Sequence, residues 1–439
     1  MKYRNERKIV IAIAVSLVMI LSAMAITMDA TSNVVIAGAS GTPAASASSS
    51  APWTYPTTTM QEPGYTNGTF IMAATNDVEH LNVYQATDVY SFYLLNEVYD
   101  SATTLLPNET ISPWLATSWT EHNVTNMSAS SATSTFLGLA GSGNLTTFDP
   151  LNGQYEPVKY VYQVNIRSGV QWTDYSPGVS TYVYSNHTSF NGPNGNPHSY
   201  TYRYPSVTMQ TYYVQSADFI LSWKILQSAF DYSGSFPNIV NAVPVNNTTV
   251  DFYLSSQSAT FLTYTLETPI LPYHVWVAHD YSSSAGAWNY TASLPAANSY
   301  NSWDVGYNAA TGTATGLIGT GPFMFTNNYG LPPGKWIFDQ YWKLYVNPHY
   351  FVQYVPSLSQ WTPKFYELYV PLYLSLSAAV TAVTLNQVYQ IEGGVTPTFL
   401  PTLATSPNTY VFHKPTTGYG FIQLNSFNQS DANMTTSQY

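Results

Sequence analysis

Apolar and polar positions change their spacing several times along the chain, and each spacing predicts a type of element. Side chains alternate between residues 160 and 167 and again between residues 250 and 254, which is typical of half-buried strands. Apolar residues three or four positions apart predict helices instead. Because strands and helices are interspersed, the pattern predicts a mixed α/β fold. The helices are marked by Val89, Phe92, Leu95 and Tyr99, by Phe219, Trp223, Leu226 and Phe230, and by Leu376, Ala379, Val380 and Val383.

Polar residues mark the ends of several of these elements. Thr87 and Ser216 stand at the starts of the first two helices, where a hydroxyl side chain is a typical N-cap. An earlier apolar run, residues 69–75, predicts a short strand. This strand leads into Asn76 and Asp77, which are typical turn residues.

A basic start and a long apolar run characterise the N-terminus. Basic residues within positions 1–8 precede an uncharged, mostly apolar run from Ile9 to Met28, which is the pattern of an export signal. Residues 23–25 (Ala-Met-Ala) offer a cleavage site, whereas the length of the run also suits a membrane span. Residues 1–28 are therefore predicted to be a signal peptide or an N-terminal membrane anchor. Both place the rest of the chain outside, either secreted or anchored at the extracellular face of the cell membrane.

The segment from 29 to 66 is rich in Ser, Thr, Ala and Pro and shows no apolar periodicity. Such a segment cannot bury a core, so we predict a flexible stalk between the N-terminal segment and the folded part.

Composition narrows the class of protein. The chain has 439 residues, 45% of them hydrophobic, which suffices for a large core and more than one lobe. Only 8% are charged, against roughly 25% in an average soluble domain, yet 38 Tyr, 19 Phe and 11 Trp argue against disorder. Uncharged polar groups keep their character in acid, so this composition suits an acidophile. A dense glycan coat would account for the same composition.

The residue content also argues against several functions. There is no Cys, so disulfides and a lipid on an N-terminal Cys are excluded. A net charge of −11 without a basic stripe argues against nucleic acid as a partner. No catalytic or nucleotide-binding motif occurs, and the closest His pair, His274 and His279, has poor metal-ligand spacing. We therefore expect no enzyme activity, no cofactor and no metal.

Asn-x-Ser/Thr sequons are spread over the chain and agree with an exported glycoprotein. A chain rich in Asn, Ser and Thr also generates such sequons by chance. The predicted glycosylation sites are Asn67, Asn108, Asn123, Asn126, Asn144, Asn186, Asn246, Asn247, Asn289, Asn428 and Asn433.

A series of segments carries a family resemblance. Residues 160–174 read Tyr-Val-Tyr-Gln-Val-Asn-Ile-Arg-Ser-Gly-Val-Gln-Trp-Thr-Asp, similar to Tyr-x-Phe-x-Leu-Arg-x-Gly-Val-x-Trp-x-Asp-Gly in extracytoplasmic solute-binding proteins of family 5. These proteins are the peptide-, nickel- and oligosaccharide-binding components of ABC importers. Further segments resemble the same family in the same order, although Val83 stands where the family usually has proline. These segments are 69–75, Leu81-Asn-Val-Tyr84, 96–101, 111–119, 216–224, Leu271-Pro-Tyr-His274, Gly319-Thr-Gly-Pro-Phe323 and 378–392.

This resemblance implies a two-lobed, periplasmic-binding-protein-like α/β fold of type II with an extra subdomain. Mapped onto the chain, lobe I comprises residues 67–98 and 216–372, and the inserted subdomain spans 99–215. Residues 373–439 would only begin lobe II. Lobe II is therefore expected to be incomplete, so that the chain is a fragment or a second polypeptide supplies the remainder.

The implied function is the capture of peptides, or of oligosaccharides, for an ABC-type importer. Its partners would be this ligand, the membrane permease of the importer, and the membrane through the N-terminal segment. The alternative is a structural or adhesive cell-surface glycoprotein that reuses the same fold. Amide and carboxyl groups would bind the polar ligand between the lobes, and aromatic rings would cover it. By resemblance, the ligand-binding positions are Asn76, Asp77, Leu81, Asn82, Tyr84, Tyr419 and Phe421.

Overall fold

The computed structural model describes residues 68–106, 108–149, 154–176, 184–187, 190–191, 197–198, 202–205, 212–279, 299–406 and 409. The chain divides into two compact units, residues 45–411 and residues 1–44 with 412–439, and every described residue belongs to the first. The predicted export segment and stalk lie outside the described residues, as do Tyr419, Phe421 and the sequons at Asn67, Asn289, Asn428 and Asn433.

Short strands outnumber helices among the described residues. The strands are β1 (Thr69–Ala73), β2 (Thr103–Leu105), β3 (Ile111–Pro113), β4 (Ala116–Asn123), β5 (Thr146–Asp149), β6 (Gln154–Pro157), β7 (Tyr160–Ile166), β8 (Tyr184–His187), β9 (Phe190–Asn191), β10 (Pro197–His198), β11 (Tyr202–Pro205), β12 (Ile239–Asn246), β13 (Thr249–Leu254), β14 (Tyr307–Asn308), β15 (Thr313–Ala314), β16 (Phe323–Met324), β17 (Lys335–Ile337), β18 (Tyr341–Val346), β19 (Glu367–Pro371) and β20 (Gln390–Ile391). The α-helices are α1 (Val89–Val98), α2 (Ala129–Thr135), α3 (Ser216–Leu226), α4 (Tyr273–Trp276), α5 (Leu376–Thr384) and α6 (Leu400–Ala404).

A six-stranded sheet is built around β1. Its order is β16-β18-β19-β1-β20, with β17 paired to β18. β1 runs parallel to both of its neighbours, β19 and β20, whereas β18 is antiparallel to β19. Alternate residues of the sheet enter the main core, among them Leu344, Leu368 and Val370. The mixed α/β class predicted from the sequence is confirmed.

Helices pack on both faces of this sheet. On one face, Tyr90 and Leu94 of α1 belong to the same core as Leu368. On the other face, Ala379 and Ala382 of α5 pack against Ala73 of β1. Alanines on both sides of this contact allow the helix to approach the strand closely, which fixes the connection from α5 to β20.

A second, antiparallel sheet has the order β12-β13-β7-β4. The alternation predicted for β7 holds, because Tyr162, Val164 and Ile166 enter the main core. Val161, which breaks the alternation, is also fully buried. It belongs to a separate cluster on the opposite face, together with Phe136 of the loop after α2.

Strand pairing crosses two of the predicted domain boundaries, and the division into lobes stays a prediction. β12 and β13, assigned to lobe I, complete the sheet of β7 and β4, which were assigned to the inserted subdomain. No sheet boundary therefore falls at residue 216. β20, assigned to lobe II, pairs with β1 of lobe I. Because α5 returns the chain to the free side of β1, the first sheet extends to Ile391 and past residue 373.

The helix ends differ by one residue from the prediction. The N-cap of α1 is Asp88, whose carboxylate accepts a hydrogen bond from the backbone of Ser91, in place of Thr87. α3 has Gln215 as its N-cap, so Ser216 is its first residue. Phe230 lies beyond the end of α3 and its side chain is 59% exposed. Within the described part of the chain, none of the helices combines the length and apolar character needed to cross a bilayer.

Candidate functional site

The parallel strands β19, β1 and β20 end at the same side of the first sheet, which we call the carboxyl edge. It comprises residues 74–77, 372–375 and 392–394, together with the turn 338–340 between β17 and β18. This turn lies at the same side because Tyr341 pairs with Pro371, the last residue of β19. In open α/β sheets, ligands bind outside the carboxyl ends of parallel strands. The carboxyl edge is therefore the candidate site.

Asp77 joins two loops of the carboxyl edge. Its Oδ1 accepts hydrogen bonds from Trp336 Nε1 at 2.9 Å and from the backbone of Val78 at 2.8 Å. Its Oδ2 accepts one from the backbone of Asp339 at 2.6 Å. Asp339 has a φ of 58°, a backbone conformation that L-residues rarely adopt. Asp77 thus fixes the turn 338–340 against the loop after β1, and both of its oxygens are already engaged.

Asn76 is the neighbouring predicted residue, and its side chain is exposed at the carboxyl edge. The residue before it, Thr75, is anchored to α1, since Thr75 Oγ1 lies 2.8 Å from Tyr90 Oη. Asn76 thus presents an amide donor and acceptor to solvent from a loop that is fixed on both sides.

The other predicted residues of this segment pack inward. Leu81 is buried, and Asn82 is 1% exposed. Asn82 Nδ2 donates to the carbonyls of Tyr300 and Trp303, both at 2.8 Å, and its Oδ1 accepts from the backbone of Tyr84. The Tyr84 hydroxyl donates to a backbone carbonyl at 3.1 Å, and the centroids of the Tyr84 and Tyr300 rings are 5.0 Å apart in an edge-to-face arrangement. In the described residues these contacts are packing contacts, so a ligand role for Leu81, Asn82 and Tyr84 stays a prediction.

One face of α1, which was not among the predicted ligand-binding positions, also lies beside the carboxyl edge. Tyr90, Tyr93 and Glu97 follow one another at spacings of three and four on α1, and the rings of Tyr90 and Tyr93 are 5.8 Å apart. A Cβ atom on Gly393 would lie 3.5 Å from Tyr90 Oη. The helical spacing of polar residues on α1 could have revealed this face.

The carboxyl group of Glu97 on this face has a raised pKa. Burial, together with the neighbouring carboxyls of Glu392 and Asp100, raises the pKa of Glu97 to about 7. Burial also raises the pKa of Glu392. The pKa of the Tyr93 hydroxyl is raised by burial and by Glu392. At acidic pH, this part of the site therefore offers neutral carboxyl groups that can both donate and accept hydrogen bonds.

Aromatic rings lie on and next to the turn 338–340 of the carboxyl edge. Phe338 is 62% exposed, and its ring lies 6.2 Å from the ring of Trp336, nearly perpendicular to it. Trp336 in turn lies 4.9 Å from Tyr307. Because Asp77 holds Trp336 and Asp339, the exposed ring of Phe338 is carried on a fixed turn.

Several of the motif residues that carried the family resemblance meet in the interior of the fold instead. Asp100 accepts hydrogen bonds from Trp114 Nε1 at 2.8 Å, Thr320 Oγ1 at 2.9 Å and Tyr350 Oη at 3.3 Å. Burial raises the pKa of Asp100 to about 6, although these hydrogen bonds lower it. Gly319 lies so close to the backbone of Val98 that an added Cβ atom would be 1.8 Å from its carbonyl oxygen.

A second group of motif residues surrounds Asp218. Its carboxylate accepts hydrogen bonds from the backbone of Gln215 and of Tyr273, both at 2.6 Å, and burial raises its pKa to about 7. Beside it, His274 Nε2 and Asp174 Oδ2 share a hydrogen bond of 2.9 Å. These motifs thus connect distant segments of the fold, and the described part of the chain brings none of them to the carboxyl edge.

Comparison with solved structures finds proteins of similar fold. They include the oligopeptide-binding protein AppA from Bacillus subtilis in complex with a nonapeptide (16% identity, 78% of this chain and 46% of that chain, TM-score 0.46). They also include the periplasmic binding protein DppA from Helicobacter pylori in complex with the peptide STSA (18% identity, 78% and 49%, TM-score 0.45). A third is MoaA from A. tumefaciens R10 in complex with mannopinic acid (15% identity, 78% and 48%, TM-score 0.44).

The chain spans about half the length of these structures. No curated protein matches its sequence. A family model does match, over residues 110–432, and it describes the middle part of bacterial extracellular solute-binding proteins, family 5. This match covers well over half of the chain and includes Asp218 and the three residues that donate hydrogen bonds to Asp100. The chain belongs to the family 5 extracellular solute-binding proteins.

Proposed function

We propose that the protein captures a peptide or an oligosaccharide at the carboxyl edge, outside the cell membrane, and delivers it to the membrane permease of an ABC importer. Membership of a solute-binding family supports a binding role over a catalytic one. The N-terminal segment 1–28 would hold the protein at the membrane or be cleaved to release it. No contact within the described residues favours the alternative of an adhesive surface glycoprotein.

The observation that carries the proposal is the fixed pair of Asn76 and Phe338. Asp77 binds both the loop that bears Asn76 and the turn that bears Phe338. An exposed amide and an exposed ring are thus carried on two loops that Asp77 joins before any ligand arrives. Binding then orders few side chains, which preserves affinity. An amide can pair with a peptide backbone or with sugar hydroxyls, and a ring can cover an apolar side chain or a sugar face.

Glu392 would separate the two ligand classes. An ionised carboxylate pairs well with the amino terminus of a peptide, so peptide affinity should fall in acid as Glu392 becomes protonated. A neutral oligosaccharide lacks the ammonium group, so its affinity should depend little on that protonation. Tyr419 and Phe421 lie outside the described residues and stay predicted ligand-binding residues.

Two measurements test the proposal. Mass spectrometry of the protein purified from its own cells should identify a co-purified peptide or oligosaccharide. Calorimetric titration of that ligand into the full chain should then show a loss of about 1 kcal/mol or more for Phe338→Ala, the usual size for an aromatic that contributes to binding. Phe230→Ala is the matched control, since Phe230 is equally exposed at 59% but lies after α3. Equal affinity of the Phe338→Ala and wild-type proteins would contradict the site, and absence of any bound solute would contradict the function.

A further inference from the structure

The sequons within the described residues differ in the local conformation of their Thr or Ser. In Asn108-Glu-Thr110, the Thr110 hydroxyl donates to Asn108 Oδ1 at 2.7 Å and the Thr110 N–H donates to the same oxygen at 3.3 Å. In Asn246-Asn-Thr248, the corresponding distances are 3.1 Å for the hydroxyl and 2.8 Å for the N–H. Both Asn residues are exposed. Both sequons therefore form the same closed turn in the folded protein.

Asn247 overlaps the second of these sequons but is held differently. Its hydroxyl partner, Thr249, is already the first residue of β13 and donates to Asn165 Oδ1 at 3.2 Å. Asn247 Oδ1 is buried without a hydrogen-bond partner among the described residues. Asn247 and its hydroxyl residue thus do not face each other. Their sequon would form the closed turn only if the end of β13 opened.

Two other sequons also have their hydroxyl engaged elsewhere. Ser128, the partner of Asn126, caps α2 by accepting a hydrogen bond from the backbone of Ser131 at 3.2 Å. Thr146, the partner of Asn144, is the first residue of β5 and its hydroxyl points to a backbone carbonyl at 3.5 Å.

Asn123 combines features of both groups. Its Oδ1 accepts from the Thr125 hydroxyl at 2.6 Å, as in the closed turns. Its Nδ2, however, donates to Tyr160 Oη at 3.3 Å, so the nitrogen that would be modified is already bound.

We propose that Asn108 and Asn246 are the acceptor sites for N-linked glycan in the folded protein, and that Asn247 is not one. In the reaction, the side-chain amide nitrogen attacks the anomeric carbon of a lipid-linked oligosaccharide pyrophosphate. A C–N bond forms, the C–O bond to the lipid pyrophosphate breaks, and the amide nitrogen loses one proton. The enzyme must hold the Asn amide and the hydroxyl two residues later at the same time. Only a sequon in which both groups are exposed and adjacent meets this need without local unfolding.

The position of the two sites supports this selection. Asn108 lies in the turn between β2 and β3, and Asn246 ends β12 at the turn to β13. Hairpin turns project from the sheets that they connect, so an enzyme can reach them without displacing a packed element. In cells, glycosylation of these sites rests on the proposed export of the chain. The preference for Asn108 and Asn246 over the other sequons depends only on the local conformation and not on export.

The overlap of two sequons provides a matched pair of variants. Thr248→Ala removes the Asn246 sequon and leaves Asn247-Ala-Thr249 intact, whereas Thr249→Ala removes the Asn247 sequon and leaves Asn246-Asn-Thr248 intact. The purified full chain, folded or unfolded in urea and diluted, is incubated with a single-subunit oligosaccharyltransferase and its lipid-linked donor. Glycopeptide mass spectrometry then gives the occupancy of each site.

In the folded wild-type protein, occupancy at Asn108 and Asn246 should exceed that at Asn126, Asn144 and Asn247 by about fivefold or more, the factor expected when one net hydrogen bond must be broken first. Folded Thr248→Ala should lose the glycan of this hairpin, and Thr249→Ala should keep it.

The opposite behaviour of the two variants would overturn the proposal. Equal occupancy of all sequons in the folded protein would also overturn it, as would modification of Asn108 and Asn246 only after unfolding. Because the enzyme and the donor are added to purified protein, none of these outcomes depends on export of the chain. Export itself is measured separately, by the accessibility of the protein to protease in intact cells.

Discussion

Replacing Glu97 by Gln should stabilise the fold at neutral pH and leave its stability unchanged in acid. Burial and the nearby carboxyl of Glu392 raise the pKa of Glu97 from 4.5 to about 7 in the folded protein. Between these two pH values, the unfolded chain has released a proton that the folded chain still holds. Folding is therefore favoured below pH 4.5, and this contribution is lost as the pH rises through 7. Each pH unit of difference is worth about 1.4 kcal/mol, so the ionisable Glu97 costs on the order of 3 kcal/mol at pH 7.

Gln keeps the shape of Glu97 and cannot ionise, so the variant avoids this cost. Urea unfolding should give a free energy about 3 kcal/mol higher for Glu97→Gln than for the wild type at pH 7, and a difference of only a few tenths of a kcal/mol at pH 4. Glu79→Gln is the matched control, because Glu79 is exposed. A Glu97→Gln protein that is no more stable than the wild type at pH 7, or a difference that persists at pH 4, would refute the reasoning.

Three further outcomes are expected. The free energy of unfolding of the chain should rise as the pH falls from 7 to 4. The reason is that its buried carboxyls with raised pKa outweigh His349, whose pKa burial lowers to about 4. Circular dichroism in urea at each pH tests this, and cooperative acid unfolding between pH 5 and 4 would contradict it. Asp77→Ala should release the turn 338–340 and leave two backbone N–H groups and one indole N–H without their acceptor. A buried donor without its acceptor costs about 1–3 kcal/mol of stability, so the melting temperature should fall. An unchanged melting temperature would contradict this. Gly319→Ala should prevent folding or lower the melting temperature strongly, because its Cβ would overlap the carbonyl of Val98, whereas Gly234→Ala has nothing within 4 Å and should fold normally.

Local elements could be predicted from the sequence because their signal lies within a few residues. The alternation of β7 and the helical spacing of α1 are complete within ten residues. The predicted N-cap of α1 differs from the observed one by one residue because Thr87 and Asp88 are both suitable residue types. Only the structure shows that Asp88 accepts a hydrogen bond from the backbone of Ser91. β20 could not be placed, since two residues carry no periodicity and its partner is set by the packing of α5 on β1.

The candidate site could be predicted only in part. The family resemblance located the loop after β1, and Asn76 is indeed exposed at the carboxyl edge. The partners of Asp77, however, are about 260 residues away in the chain, so no local pattern reveals that its carboxylate is already engaged. Glu97 and Glu392 are similarly distant in sequence, and the effect of Glu392 on the pKa of Glu97 follows from the packing of α1 beside β20.

The central position of β1 has a consequence for how the chain is made. Its two hydrogen-bonding sides are completed only by β19 and β20, which lie about 300 residues later in the sequence. At roughly 5–20 residues per second of synthesis, β1 waits on the order of 15–60 seconds for both partners. During that time the first sheet cannot close, and the loop-closure entropy of such distant pairing slows folding further. A chain that is threaded through a membrane must stay unfolded until it has passed. The late completion of β1 therefore leaves most of the polypeptide unfolded while it is being made, which is the state that the proposed export would require.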